Sequence, residues 1–392
     1  MGGGIGMGMI EAFEWAGPGQ VVFGVGSVGR LGELCGVFGR RVMVVTGSGG
    51  LEGKVVALLE AAGMEVVVFA VAGEPTIEGV ESGVAIAKGA GCEWVLAVGG
   101  GSVVDAGKAI AALVANAGSV REYVEVIGTG RVLERDPLPF VAVPTTAGTG
   151  AEATRNAVLC CPEAGVKVSL RHRSMLPRLA LIDPELAVSV PAGVTAVTGM
   201  DALTQLLEAF VCVRANPMTD ALCAEGVAKV VGSLRRVVGD GADVGARSEM
   251  ALAALFSGMA LANAGLGAVH GFAAPLGGRY GMGHGAVCAA LLPAVWEVNL
   301  RAVRERGTGE QVRRFERAAV WLTGDAGAKA EDGVGWLREL VRDLKVPGLR
   351  ALGVSEGDWD EVVPLALRAS SMKANPVGLS EGELRRCLEG AE

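Results

Sequence analysis

The chain has 392 residues, 51% hydrophobic and 20% charged, with 61 glycines and 15 prolines. That is enough apolar material for two domains with cores of their own, and too little Gly and Pro bias for a disordered or low-complexity polymer. With 35 basic against 43 acidic residues the formal net charge is −8; no Lys/Arg stripe is present, so the electrostatic footprint of a nucleic-acid binder is missing. Eight cysteines, at 35, 92, 160, 161, 212, 223, 288 and 387, form no C-x-x-C pair. They read as reduced, mostly buried small hydrophobes rather than a zinc knuckle or disulfide framework. The first 23 residues contain Glu11 and Glu14 but no Lys or Arg, so the basic start of a signal peptide is lacking and a cytoplasmic location is expected.

In chain order, the first glycine motif is Gly24, Gly26 and Gly29, a match to G-x-G-x-x-G. That fingerprint also needs an acidic residue about 20 positions on to hold a ribose; residues 45–50 are Val, Thr, Gly, Ser, Gly, Gly. The match therefore reads as a turn leading into a helix at Leu31. Short Val- and Ala-rich runs then end in Gly, Thr or Ser and give way to amphipathic stretches, the β-then-α alternation of a parallel sheet. Buried strands are predicted at Arg41–Thr46 and at residues 65–71, 93–98 and 140–143, with a helix around 51–62.

The strand ending at Val98 runs into Gly99, Gly100, Gly101 and Ser102, followed by a helix predicted over 103–116. Three glycines let a backbone approach a pyrophosphate, and free N–H groups at a helix start favour an anion. Ser102 is expected to cap that helix, with Asp105 three residues on in capping-box position. By itself this is equally a tight, well-capped turn. A second loop, Pro144, Thr145, Thr146, Ala147, Gly148, Thr149 and Gly150, follows the strand at 140–143, and the carboxyl ends of strands in an open α/β sheet are where nucleotides bind.

From Pro191 onward the β-branched runs largely stop and helical spacing takes over: Ala202, Leu203, Leu206, Leu207 and Phe210 share one face, as do Val312, Phe315, Ala319 and Leu322 later. The division is placed at 190/191, giving an α/β domain at 1–190 and an all-helical domain at 191–392. Residues 251–278 contain no Asp, Glu, Lys or Arg, yet Ser257, Asn263, His270, Pro275 and six glycines interrupt the run. Two buried helices joined by a Gly-rich bend fit it better than a membrane span. There are three histidines, His172, His270 and His284. Asp201 and Gln205 lie at i and i+4 on one helix face, and a carboxylate with two imidazoles makes a divalent-metal site if the helices converge. Taken singly, each histidine is more often a satisfied buried side chain and the aspartate a helix cap.

With these segments in this order, together with GMDALTQLLEA at 199–209, HGFAAPLGG at 270–278, GHGAVCAALLP at 283–293 and SMKANP at 371–376, the chain resembles the iron-containing (group III) alcohol dehydrogenase family over nearly its whole length. The resemblance implies a dehydroquinate synthase-like fold: an N-terminal α/β nucleotide domain with a parallel sheet, an all-α C-terminal domain and a cleft between them. It implies a nicotinamide cofactor held by Gly99, Gly100, Gly101, Ser102, Asp105, Thr145, Thr146, Thr149 and Lys167, hydride transfer between that cofactor and a small alcohol/aldehyde or ketone, and a homodimer. It also implies a divalent metal, iron or zinc, at Asp201, Gln205, His270 and His284, where the family has Asp, His, His, His. Gln205 is a weak neutral ligand in place of imidazole, and Ala274 stands where many members carry a further histidine. If no metal binds, His270 or His284 donates a hydrogen bond or proton to the substrate oxygen instead. Gly47 and Ser48 replace the aspartate that NAD-using members place after the first buried strand, so NADP(H) is expected to be accepted alongside or ahead of NAD(H). Two rivals stay open: a dehydroquinate synthase-like lyase, for which Arg171, His172 and Arg173 are the nearest phosphate contacts, and a catalytically impaired nucleotide-binding homologue.

Overall fold

The computed structural model describes residues 12–48 and 50–392; Glu11 and residue 49, which entered the readings of the N-terminus and of the 47–50 turn, lie outside them. Six parallel strands form the main sheet in the order β1-β8-β5-β4-β2-β3: β1 (Val21–Phe23), β2 (Arg41–Thr46), β3 (Glu65–Ala70), β4 (Trp94–Gly99), β5 (Phe140–Pro144) and β8 (Leu179–Ile182). Between β5 and β8 the chain makes an antiparallel hairpin, β6 (Asn156–Cys161) and β7 (Val166–Arg171). The strands β2 and β4 are unbroken apolar runs because both sheet faces are covered. Val42 and Val44 point into a core shared with α1 (Leu31–Cys35) and α2 (Glu52–Ala61). Met43 and Val45 point the other way, against α3 (Ile77–Gly89) and α4 (Gly101–Val114). A short α5 (Val120–Tyr123) completes this half.

The helices after β2 and β4 thus leave to opposite faces of the sheet although the two strands are neighbours. That reversal opens a crevice at their carboxyl ends, between Thr46 and Gly99, the place where open α/β sheets bind ligands.

Among the described residues nine α-helices make up most of the remainder: α6 (Ala192–Val211), α7 (Pro217–Gly239), α8 (Val244–Asn263), α9 (Ala268–Tyr280), α10 (His284–Arg306), α11 (Gly309–Thr323), α12 (Ala330–Asp343), α13 (Trp359–Arg368) and α14 (Glu381–Glu389). The charge-free run 251–278 is the bent pair α8–α9, with axes 100° apart, and α10, long and apolar enough for a membrane by composition, is 83% buried over its apolar window. Of the residues placed on apolar helix faces, Ala202, Leu203, Leu206, Leu207, Phe210, Phe315, Ala319 and Leu322 are all buried. Helix α6 is unusual in burying its polar face as well: Asp201, Thr204, Gln205 and Glu208 are each at most 4% exposed. Buried polar groups persist only where partners satisfy them, which makes this face the first place to look for chemistry.

Candidate active site

The crevice widens into a cleft of about 570 Å³ lined by Gly47 and Ser48 after β2, by Gly99, Gly100, Gly101 and Ser102 after β4, and by Thr145, Thr146 and Thr149 after β5. Across from them the helical half contributes Asp201 and His284. The two loops are fitted to each other: a Cβ on Gly101 would stand 2.7 Å from Thr149 Oγ1. Helix α4 begins at Gly101, one residue ahead of Ser102, and Gly100 precedes it with no side-chain cap. The predicted Ser102–Asp105 capping box is therefore absent, and the uncapped end leaves N–H groups facing the cleft for an anion.

Asp105 has another duty. Its Oδ2 accepts from Val158 N at 3.0 Å and its Oδ1 pairs with Lys108 Nζ at 3.1 Å. Lys108 is fully buried and also donates to Ala151 O, Thr154 Oγ1 and Asn156 O. The acid and the lysine of GGGSVVDAGK are thus struts that tie α4 to the loop and strand after β5. Expected among the cofactor contacts, Asp105 has both oxygens taken by protein.

The earlier G-x-G-x-x-G match is closed from within, because the amides of Gly26 and Val28 both donate to the Asp183 carboxylate at 3.1 Å. Arg171, His172 and Arg173 line neither cavity; the His172 Nδ1 is occupied by Ser174.

Behind the cleft lies a chamber of about 250 Å³ that shares Gly101, Ser102, Thr149 and His284 with it and adds His270, Gln205, Ala274, Lys167, Leu261 and Leu266. Lys167 is paired with Glu74 at 2.6 Å. At the junction of the two cavities Asp201 from α6, His270 from α9 and His284 from α10 converge. Asp201 Oδ1 is 3.4 Å from His270 Nε2 and 3.7 Å from His284 Nε2. The Cys288 thiol, one helical turn after His284, stands 3.8 Å from both Nε2 atoms.

Glu208 fixes the arrangement. Its Oε2 takes the His270 Nδ1 hydrogen at 2.7 Å and its Oε1 takes Val269 N at 2.7 Å. The Nδ1–H tautomer follows, so Nε2 presents a bare lone pair toward Asp201. Asp201 Oδ1, 1% exposed as a residue, has no hydrogen-bond partner. Burial pushes the Asp201 carboxyl up, yet His284 and His270 outweigh it and hold the group below its usual range. Burial pulls both imidazoles down, yet Cys288, Asp201 and, for His270, Glu208 leave them above theirs, His270 well above. A buried carboxylate facing two imidazoles that hold their protons more tightly than usual is a site for positive charge, and with those protons displaced the residues present fit a divalent metal.

Gln205 departs from the expectation. Its Oε1 accepts from Ser257 Oγ at 2.8 Å, while its amide nitrogen faces Thr149 O at 3.3 Å and Asp201 Oδ2 at 3.4 Å. Turning the amide over would set oxygen against two oxygens, so in this arrangement Gln205 is a donor that holds Asp201 by Oδ2. Sequence reasoning missed Glu208 and Cys288. Glu208 lies at i+7 from Asp201 on the same face of α6, and Cys288 at i+4 from His284, spacings that carry the signal.

The last segment, SMKANP, acts at a distance. Asn375 Oδ1 accepts from Ala268 N at 3.0 Å, so Asn375 and Glu208 together cap α9, whose own Gly267 offers no side chain. Ala274, where an imidazole is frequent in the resembled family, lines the chamber as a methyl group.

Comparison with known proteins agrees with this architecture. Residues 18–184 match the family model of iron-containing alcohol dehydrogenase, and residues 195–391 the model of the C-terminal domain of the same family. The chain is 36% identical to 1,3-propanediol dehydrogenase of Klebsiella pneumoniae over 381 residues, 95% of this chain and 97% of that protein. The crystal structure of a 1,3-propanediol oxidoreductase superposes with a TM-score of 0.91 at 34% identity, covering 97% of this chain and all of the other. Sulfoacetaldehyde reductase from Bifidobacterium kashiwanohense, solved in complex with NAD+, does so with 0.85 at 27% identity, covering 97% and 98%. The cluster of Asp201, His270 and His284 at the mouth of a glycine- and threonine-walled cleft is thus set in a chain that belongs to the iron-containing alcohol dehydrogenase family, and the protein is an oxidoreductase of the alcohol dehydrogenase class.

Proposed function

We propose that the protein interconverts a small primary alcohol and its aldehyde with NADP(H) or NAD(H) in the cleft, assisted by a divalent metal at Asp201, His270 and His284. The observation that carries this is the convergence of those three side chains where cleft and chamber meet, with Asp201 Oδ1 left without a partner. A divalent ion there supplies a Lewis acid for the substrate oxygen, and a nicotinamide supplies or takes the hydride. The chain's own work is positioning. Glu208 sets the His270 tautomer, Gln205 holds Asp201 by Oδ2 so that Oδ1 faces inward, and the open end of α4 offers amides to the cofactor's phosphates. Gly47, Ser48 and the 99–102 and 145–149 loops are the cofactor's walls in this reading, with Lys167 on the chamber side.

The chamber suits a short carbon chain, since Leu261, Leu266 and Ala274 give apolar walls to a space of about 250 Å³. A diol of the kind the Klebsiella relative is named for is within that size. Ala274 offers no titratable group, so the protic side chains on the wall shared by the two cavities are Ser102, Thr149 and His284.

Activity is tested by following nicotinamide absorbance with a panel of short alcohols, diols and aldehydes, before and after chelation. Turnover that chelation abolishes and zinc or iron restores is expected; full turnover in metal-free protein would remove the Lewis acid, and cofactor binding without turnover would remove the dehydrogenase. Saturation with NADPH at or below the concentration needed for NADH is also expected, because Gly47 and Ser48 present no carboxylate to repel a 2′-phosphate. A strong preference for NADH would refute that.

A further inference from the structure

We propose that Cys288 is the fourth metal ligand: its thiolate replaces the imidazole missing at Gln205 and completes an Asp/His/His/Cys site that holds zinc in preference to iron. The proposal rests on the metal-assisted reading above and goes beyond it by naming a ligand and a metal.

Geometry comes first. A tetrahedral ion with bonds of about 2.0 to 2.3 Å sets its ligand atoms roughly 3.3 to 3.6 Å apart. The observed separations are 3.4 and 3.7 Å from Asp201 Oδ1 to the two Nε2 atoms, and 3.8 Å from Cys288 Sγ to each of them. All four donor atoms lie within 4.8 Å of one another, and among the described residues no other set of three or more acidic, histidine or cysteine side chains is gathered this way. The set is also a preformed one. Three of its four members are buried, and His284 and Cys288 project from one face of a 23-residue helix at i and i+4.

The position that Gln205 leaves open is the second observation. Its oxygen is committed to Ser257 and its amide hydrogens point at Asp201 and Thr149, so α6 supplies one ligand where the family's pattern has two. Helix α10 makes up the number from the other side, with His284 and Cys288.

Charge and softness give the consequence. Exchanging a neutral imidazole for a thiolate raises the ligand charge from −1 to −2, which balances a divalent ion, and a soft thiolate beside imidazoles favours zinc over ferrous iron. Binding breaks the Cys288 S–H bond and forms the metal–sulfur bond; that proton passes to the buffer, together with any proton the two imidazoles carry on Nε2.

The test uses the full-length protein stripped by chelator and loaded with cobalt(II), whose sulfur-to-metal charge-transfer band in the near ultraviolet reports thiolate directly, beside zinc and ferrous iron competed against a chromophoric chelator. One cobalt per chain with that band, and tighter retention of zinc than of iron, is expected of the wild type. Cys288→Ala should lose the band and bind zinc at least roughly tenfold more weakly, while Gln205→Ala keeps the band. Should Cys288→Ala fail to fold, the wild-type spectrum decides alone. Cobalt bound without the band overturns the cysteine and leaves the metal-assisted reading standing. Iron held as tightly as zinc overturns the selectivity. Failure to bind any of the three ions overturns both, and turnover of nicotinamide by that metal-free protein would still mark a dehydrogenase.

Discussion

Glu208 acts on the site through His270. Its two oxygens take an amide and an imidazole hydrogen, and that choice of tautomer turns the His270 lone pair toward Asp201. Glu208→Gln keeps the shape and the α9 cap but sets an NH2 group against Nδ1, which favours the tautomer with hydrogen on Nε2, where the metal belongs. Zinc affinity should fall about 10- to 100-fold with the melting temperature little changed; chelator competition reads the first and calorimetry the second. Undiminished zinc affinity would show that Glu208 is only a helix cap. The limits of sequence reading are visible at the same residues. Asp201, His270 and His284 could be picked out because histidines are few and the motifs around them are distinctive. Cys288 was hidden among eight cysteines whose commonest role is to fill space, and Gln205 could be read only as a weakened ligand, because which way its amide faces depends on Ser257, 52 residues away.

Among the elements, β2, β4 and β5 are legible because burial on both faces makes them uninterrupted apolar runs; β3, expected to be buried as well, is the edge strand of the sheet and none of its residues is fully buried. The boundaries shifted by a residue or two: α4 starts at Gly101 instead of 103, β3 stops at Ala70 and β4 extends to Gly99. Strands β1, β6, β7 and β8 were not singled out. The alternating burial of β6 depends on α4 lying beneath it, a tertiary fact that composition does not carry. Glycine contacts likewise become meaningful only once elements meet. Gly150, at φ +58, and Gly258 of α8 touch backbone to backbone: a Cβ on Gly150 would be 2.5 Å from Gly258 Cα, and one on Gly258 would be 2.2 Å from Gly150 O. This close approach seats the 144–150 loop on the helical half. Gly258→Ala must push the loop away, at a cost of roughly 1–3 kcal/mol, and should weaken nicotinamide cofactor binding as Thr149 moves. Gly232→Ala, at an exposed position on α7 with nothing near its Cβ, should instead stabilise the fold by up to about 1 kcal/mol. Denaturant midpoints compare the two, and equal effects would refute the role given to the Gly150–Gly258 contact.

At the scale of the whole molecule, the seam between the α/β and helical halves buries a carboxyl. Glu152 is 3% exposed in the turn after Gly150 and lines a small void with Asp183 and, from α8, Ala251. Burial pushes its carboxyl up to about 7, against weaker pulls from its own backbone amide and from Lys108. An unfolded glutamate ionises near 4.5, so between that pH and about 7 the unfolded chain gives up a proton that the folded chain keeps. Stability from this group is therefore complete below 4.5, is lost progressively as pH rises to about 7, and is not lost further above it, for a total on the order of 3 kcal/mol. Glu152→Gln, which stays neutral and retains the shape, should remove this share of the slope: the variant and the wild type should have similar unfolding free energies at pH 4.5, and the variant should be the more stable at pH 8. Because the imidazoles of the site titrate in both proteins, the difference between the two denaturation series isolates Glu152. Parallel curves from pH 4.5 to 8 would mean that its carboxyl is ionised in the fold, its charge balanced by Lys108, 1% exposed and likewise buried.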